Sequence, residues 1–400
     1  MLLWVAAAGA LAVGRGIFLM YKFRPAPDYT AFEKIKLGAG VLRVPLSRTM
    51  DLCHEPAGLL MARGVTMGLG KALVSVVMSM MNRVEVCEDD RWSFFINTVR
   101  ARDKDTPLIT VSNHESCLDD PGLMGAIVPW DVACDPRRMR WGLITQDLGF
   151  PLPEKLPLPA AIKPTAAYLF HAITGGGQAL PIWRGGGLDQ PLLLDVCRRL
   201  AAGSWVHVFP EGRVVQNPVA QTLGLDPVTP RNPKEIEEKG RLKWGIGKLV
   251  AHSPRVPVII PIHHKGMHLV YPNRNEWVPD GKGGTRFDNA IKHPLPRSGQ
   301  KVSVLVGQPV EVEDLLIAHE SLHGPLWKVS SGAASQSRWR SAPEERALYS
   351  AIARRVQEAL LKLEREHNPN RGGSEPIDPR DPRAVIRDDT PEKKGGGWWS

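Results

Sequence analysis

The run Pro107-Leu-Ile-Thr-Val-Ser112 is apolar and β-forming, and it passes without a break into Asn113-His114 and then, five residues after the histidine, Asp119. A continuous apolar run of this length suits a strand buried on both faces, as in a sheet covered by helices on either side. The fold must therefore deliver a histidine at the end of a core strand. In a regular helix a five-residue separation would place the two side chains about 140° apart. His114 and Asp119 meet only if the histidine lies in a turn and the aspartate at or near the next helix start. Asp120-Pro121 reads as such a start, an N-cap followed by a proline in the first turn. An imidazole takes a hydroxyl proton near neutral pH, and a carboxylate on its other nitrogen fixes the tautomer and stabilises the imidazolium. Alone, the two residues are read more simply as a polar strand end and a helix cap.

Three further runs end in the same way. Gln178-Ala-Leu-Pro-Ile-Trp-Arg184 leads into Gly185-Gly-Gly187, and Ser204-Trp-Val-His-Val-Phe-Pro-Glu211 into Gly212-Arg213. Arginine offers a fixed fork of donors to a phosphate, and glycine lets backbone approach an anionic head group. Arg184, Gly185, Glu211, Gly212 and Arg213 are thus candidate substrate-binding residues, with the arginines on phosphate and the glutamate orienting them. Read singly, Arg184 fits an exposed loop and Pro-Glu-Gly a β-turn with a solvated glutamate. The fourth run, Val256-Pro-Val-Ile-Ile-Pro-Ile-His-His264, is apolar enough for a buried strand. Strand-like runs at 108–112, 179–183, 205–209, 256–262 and 302–306 alternate with helical stretches at 121–127, 192–202 and 243–251. This pattern predicts an α/β fold, a central mixed β-sheet flanked by helices, with the motif residues at strand ends where loops converge.

The four segments, in this order, resemble the pattern of the glycerophospholipid acyltransferase family: His-x-x-x-x-Asp, a Gly/Arg block, Phe-Pro-Glu-Gly and a proline-bearing apolar strand. The likeness is closer still to the tafazzin branch, through Thr110 to Pro121, Ser204 to Gly212, Lys243-Trp-Gly-Ile-Gly-Lys248 and Gly299 to Gly307. It runs from about Leu60 to Val312, while 214–240 looks like an insertion. The resemblance implies acyl transfer between phospholipids and lysophospholipids with His114 and Asp119 catalytic, independent of coenzyme A, cardiolipin as the remodelled lipid and a mitochondrial membrane as the location. A coenzyme-A-dependent lysophospholipid acyltransferase and an inactive lipid-binding scaffold share the pattern. A serine hydrolase using Ser112 or Ser116 lacks a Gly-x-Ser-x-Gly elbow.

A net charge of +9 favours an anionic partner. No nucleic-acid motif accompanies it, so an anionic membrane surface is expected, and the chain leaves room for a homo-oligomer. Cysteines 53, 87, 117, 134 and 197 form no metal-ligating spacing; no metal or cofactor is expected, and Cys117 reads as a packing residue rather than a nucleophile. Residues 1–24 are an apolar anchor or a targeting segment, and 25–59 a linker. Residues 60–81 are apolar apart from Arg63, Lys71 and small polar residues, which suggests an interfacial helix or hairpin with both cations snorkelling to head groups, or an ordinary core helix. A catalytic domain over 82–328, a linker at 329–342, an amphipathic helix at 343–367 and a disordered tail at 368–400 complete the organisation.

Overall fold

The computed structural model describes residues 2–25, 55–183, 186–212, 214, 242–272, 276–279, 285–288, 295–330 and 339–367. Seven strands form one sheet in the order β1-β9-β6-β2-β5-β3-β4. They are β1 (Arg83–Val86), β2 (Leu108–Ser112), β3 (Trp141–Thr145), β4 (Ala179–Ile182), β5 (Trp205–Val208), β6 (Val258–Lys265) and β9 (Lys301–Val306). β2 lies at the centre, parallel to both β5 and β6, and every one of its residues is buried. The sheet is mixed because β9 runs antiparallel to β6 while pairing in parallel with β1. β7 (Glu276–Pro279) and β8 (Thr285–Asp288) make a separate antiparallel pair.

Both faces are covered, which explains the unbroken apolar character of β2. On one face α5 (Pro191–Ala201), α6 (Gly245–His252), α7 (Glu313–His323) and α8 (Pro343–His367) pack over Ile109, Val111, Val206 and Ile259. Leu348, Ile352 and Val356 of α8 face this core, so the last helix belongs to the domain. On the other face α2 (Ala57–Ser75) and α3 (Asp90–Ala101) join the helical turns at 119–133 over Leu108, Trp205, Ile260 and Val302. A third, small cluster of Met20, Tyr21, Leu59 and Ala172 ties α1 (Leu2–Lys22) and α2 to α4 (Lys163–Gly176).

α2 continues through a π turn to Met80, giving a single helix rather than a hairpin. Its two cations correct the expectation from the sequence: neither reaches outward. Arg63 is fully buried and donates to both Glu55 carboxylate oxygens at 3.0 and 3.1 Å. Glu55 also accepts from Arg199 at 3.2 Å, and both guanidinium groups lie over the Trp141 ring. Lys71 donates to the carbonyls of Gly125 and Val128, each at 2.7 Å. The cost of burying these charges is offset by pairing and by carbonyl acceptors. Gly64 and Gly68 allow the close approach, since a Cβ at either would press on Cys134. With the polar groups turned inward, the outer face carries Met61, Val65, Leu69, Leu73 and Met80, and Leu69 and Leu73 are each 68% exposed. Leu11 and Phe18 of α1 and Phe170 and Ile173 of α4 are also exposed, so all three helices of this layer present apolar side chains outward.

Candidate active site

The C-terminal end of β2 leaves the sheet at Ser112, and the next residue is held as if the strand continued. Asn113 accepts from the His264 backbone N–H through Oδ1 at 3.0 Å and donates through Nδ2 to the His264 carbonyl at 2.8 Å. His264 Nε2 in turn lies 3.0 Å from the Asn113 carbonyl oxygen. The chain then turns sharply, and the turn closes on Asp119. Its Oδ2 accepts from Glu115 N at 2.6 Å, Ser116 N at 2.9 Å and His114 Nδ1 at 2.9 Å. The structure thus brings His114 and Asp119 together, and the turn is what overcomes their unfavourable helical spacing. The carboxylate is fully buried, whereas the imidazole keeps 16% of its surface exposed.

Burial raises the Asp119 carboxyl to about 7, even though the His264 charge and the N–H groups of Ser116 and Glu115 pull it down. The buried Asp119 carboxyl therefore keeps its proton up to about neutral pH. Asp120 has the extended backbone of a residue at a helix start, with φ −125° and ψ 117°, and Pro121 follows it, but its carboxylate pairs with the buried guanidinium of Arg140 and does not cap the helix. Gly142 at the start of β3 is needed there, because a Cβ would collide with that carboxylate.

The Phe-Pro-Glu-Gly segment follows β5, the neighbour of β2. Phe209 lies flat on the His114 ring, with centroids 4.0 Å apart and planes within 15°. Gly212 adopts φ +69° and donates to the Phe209 carbonyl at 3.0 Å, so this segment is a tight turn closed by a left-handed glycine. Glu211 is half-buried on that turn. Arg184, Gly185 and Arg213 lie outside the described residues, as does most of the 214–240 segment.

Several residues that sequence reasoning passed over complete the site. Glu115 accepts from Gly266 N and from His268 Nδ1, both at 3.0 Å, which ties the motif to the turn after β6. Burial would raise its carboxyl, but the His268 bond, the charges of His264 and His268 and the Gly266 N–H together hold it below the usual range. His207 sits beneath, bonded to Thr110 Oγ1 at 2.8 Å and Ser112 Oγ at 3.3 Å, and burial drives its proton affinity far down. The signal for Phe209 was its place in the motif, and for Glu115 and Asn113 their adjacency to His114. Cys117 is half-buried within the turn.

No family model matches the chain. Among individual proteins it is 30% identical to an N-acylphosphatidylethanolamine synthase of Arabidopsis thaliana over 302 residues, covering 73% of this chain and 88% of that protein. It is 31% identical to a tafazzin of Drosophila melanogaster over 242 residues, 60% of this chain and 50% of the fly protein. A tafazzin of Saccharomyces cerevisiae is 25% identical over 236 residues, 54% of each chain. The chain spans about half the length of these tafazzins.

Proposed function

Because the chain belongs to the tafazzin family of glycerophospholipid acyltransferases, we propose that it moves acyl chains between phospholipids and lysophospholipids by direct exchange, with His114 as general base. The observation that carries this reading is the 2.9 Å contact between His114 Nδ1 and a fully buried Asp119 carboxylate. With Nδ1 committed to Asp119, proton transfer falls to Nε2. A lysophospholipid hydroxyl gives its proton to Nε2 as its oxygen attacks the ester carbonyl of a donor phospholipid. The tetrahedral intermediate collapses, the donor C–O bond breaks, and the departing alkoxide takes the proton from the imidazolium. Atoms balance with neither water nor thioester. Asp119 holds the ring and stabilises its cationic form, and Phe209 fixes the ring plane from one side.

Arg184 and Arg213 are assigned to the lipid phosphates, with Glu211 as their orienting carboxylate, on their places at the ends of strand runs. The catalytic unit is residues 82–328 together with α8, whose buried residues share its core. Residues 57–80 are long and apolar enough to cross a bilayer by length and composition. With their cations packed onto the domain and apolar residues outward, they lie along one leaflet and keep the domain against the lipid surface. The lipid remodelled is cardiolipin and the site of action a mitochondrial membrane, readings that rest on the likeness to tafazzins.

His114→Ala and Asp119→Ala should each cut turnover by about 10² to 10⁴-fold while vesicle binding persists. Substantial residual rate in either would remove the pair from the mechanism. Liposomes holding phosphatidylcholine and lysocardiolipin, with no thioester, should yield acylated lysocardiolipin. If product forms only when acyl-coenzyme A is added, the enzyme is the thioester-dependent kind. The match along 88% of the plant synthase favours a second reading, acyl transfer to an amine. Phosphatidylethanolamine as sole acceptor tests it.

A further inference from the structure

Among the described residues, the histidine nearest the catalytic carboxylate after His114 itself is His264. It is fully buried on β6, with Nε2 3.6 Å from Asp119 Oδ2. β2 and β6 pair in register up to Ser112 opposite Ile262. Beyond that point the Asn113 side chain takes over, and the three bonds it and its carbonyl make with His264 act as one more rung of the ladder. The rung comes immediately before His114, so it sets the direction in which the catalytic residue leaves the sheet. A residue that leaves a rigid strand with its last peptide locked has little freedom to tilt, and a misplacement of about 1 Å in such a site costs about 10²-fold in rate.

We infer that His264 is a positioning residue for acyl transfer: its ring donates Nε2–H to the Asn113 carbonyl, so that His114 leaves the strand facing Asp119, and it stands 3.6 Å from the Asp119 carboxylate on the β6 side. The inference rests on the His114–Asp119 reading. The ring works as a donor at Nε2, because that nitrogen meets a carbonyl oxygen; its Nδ1 is buried with no hydrogen-bond partner among the described residues. Among titratable and charged groups around it, His114 and Glu115 share the loop with Asp119, and His268 follows β6. His207 of β5, Arg140 before β3 and His367 at the end of α8 complete the shell. Of the groups on other elements, only His264 comes within 4 Å of Asp119 in an ion-pair contact among the described residues.

The test uses the full chain in phospholipid vesicles. His264→Met fills the volume without a donor, and His264→Gln restores an N–H near the Nε2 position. His264→Met should lower kcat by about 10- to 100-fold with KM within about twofold, and move the rising limb of the pH–rate profile to higher pH. His264→Gln should recover most of kcat and return the limb towards wild type. Wild-type kcat and pH profile in His264→Met overturn the inference, and so does a glutamine variant that falls as far as methionine, since that marks a packing role. Should His264→Met not fold, His264→Leu carries the same expectation for kcat, and wild-type turnover there overturns the inference. Full activity in His114→Ala would instead refute the base assignment, which keeps the two failures apart.

Discussion

Asp119 concentrates the chemistry of the site in one buried carboxylate. Its proton affinity is raised by burial to about 7 from an ordinary value of 3.8. The rate should climb as pH rises through about 7, when the Asp119 carboxyl loses its proton and can hold the His114 ring as a base. Initial rates in vesicles between pH 5.5 and 8.5 check this; a flat profile would contradict it. Stability should move the other way. A raised carboxyl affinity favours the folded state below the unfolded value and loses that contribution as pH passes the folded value. The urea midpoint of wild type should therefore fall relative to Asp119→Asn between about pH 4 and pH 7. The histidine, the aspartate and the Phe-Pro-Glu-Gly turn could be read in the sequence because each closes a β-forming run. Phe209 against His114, or His264 beside Asp119, could not, since those contacts join residues about 95 and 145 positions apart.

At the scale of elements, continuous apolar runs gave away β2, β5 and β6, while β1 and β3 went unread for different reasons. β1 is four residues with alternating charge at the sheet edge, and β3 carries Gly142, which weakens a strand pattern but is required beside Asp120. α4 was hidden behind the prolines of 151–164 and by an outer face that is apolar instead of polar, which erases the amphipathic period. α2 shows the same inversion more strongly. Since burying a leucine side chain is worth about 1.5 to 3 kcal/mol, replacing both Leu69 and Leu73 with glutamate should weaken vesicle partitioning by at least about 100-fold. Circular dichroism should remain unchanged, because neither side chain packs on the domain. Partitioning that survives both substitutions would show that another surface meets the lipid.

For the whole molecule, charge and apolar surface cooperate. A net charge of +9 should draw the protein to anionic bilayers over a range set by the Debye length, about 10 Å at 0.1 M salt. Co-sedimentation with vesicles containing one-fifth anionic lipid should weaken between 50 and 500 mM NaCl, while binding driven by α2 insertion remains as a salt-resistant remainder. Complete loss at high salt would mean that the apolar layer stays out of the lipid.

The helix that carries its cations inward leaves the fold unfinished in water. On the proposed reading, lipid tails stand where a neighbouring subunit would in an ordinary oligomer, and they close a surface that folding alone leaves open. Off the bilayer the same surface has one ready substitute, the identical surface of a second molecule. The isolated protein should therefore travel as detergent-bound particles, or as aggregates that vesicles dissolve and salt does not.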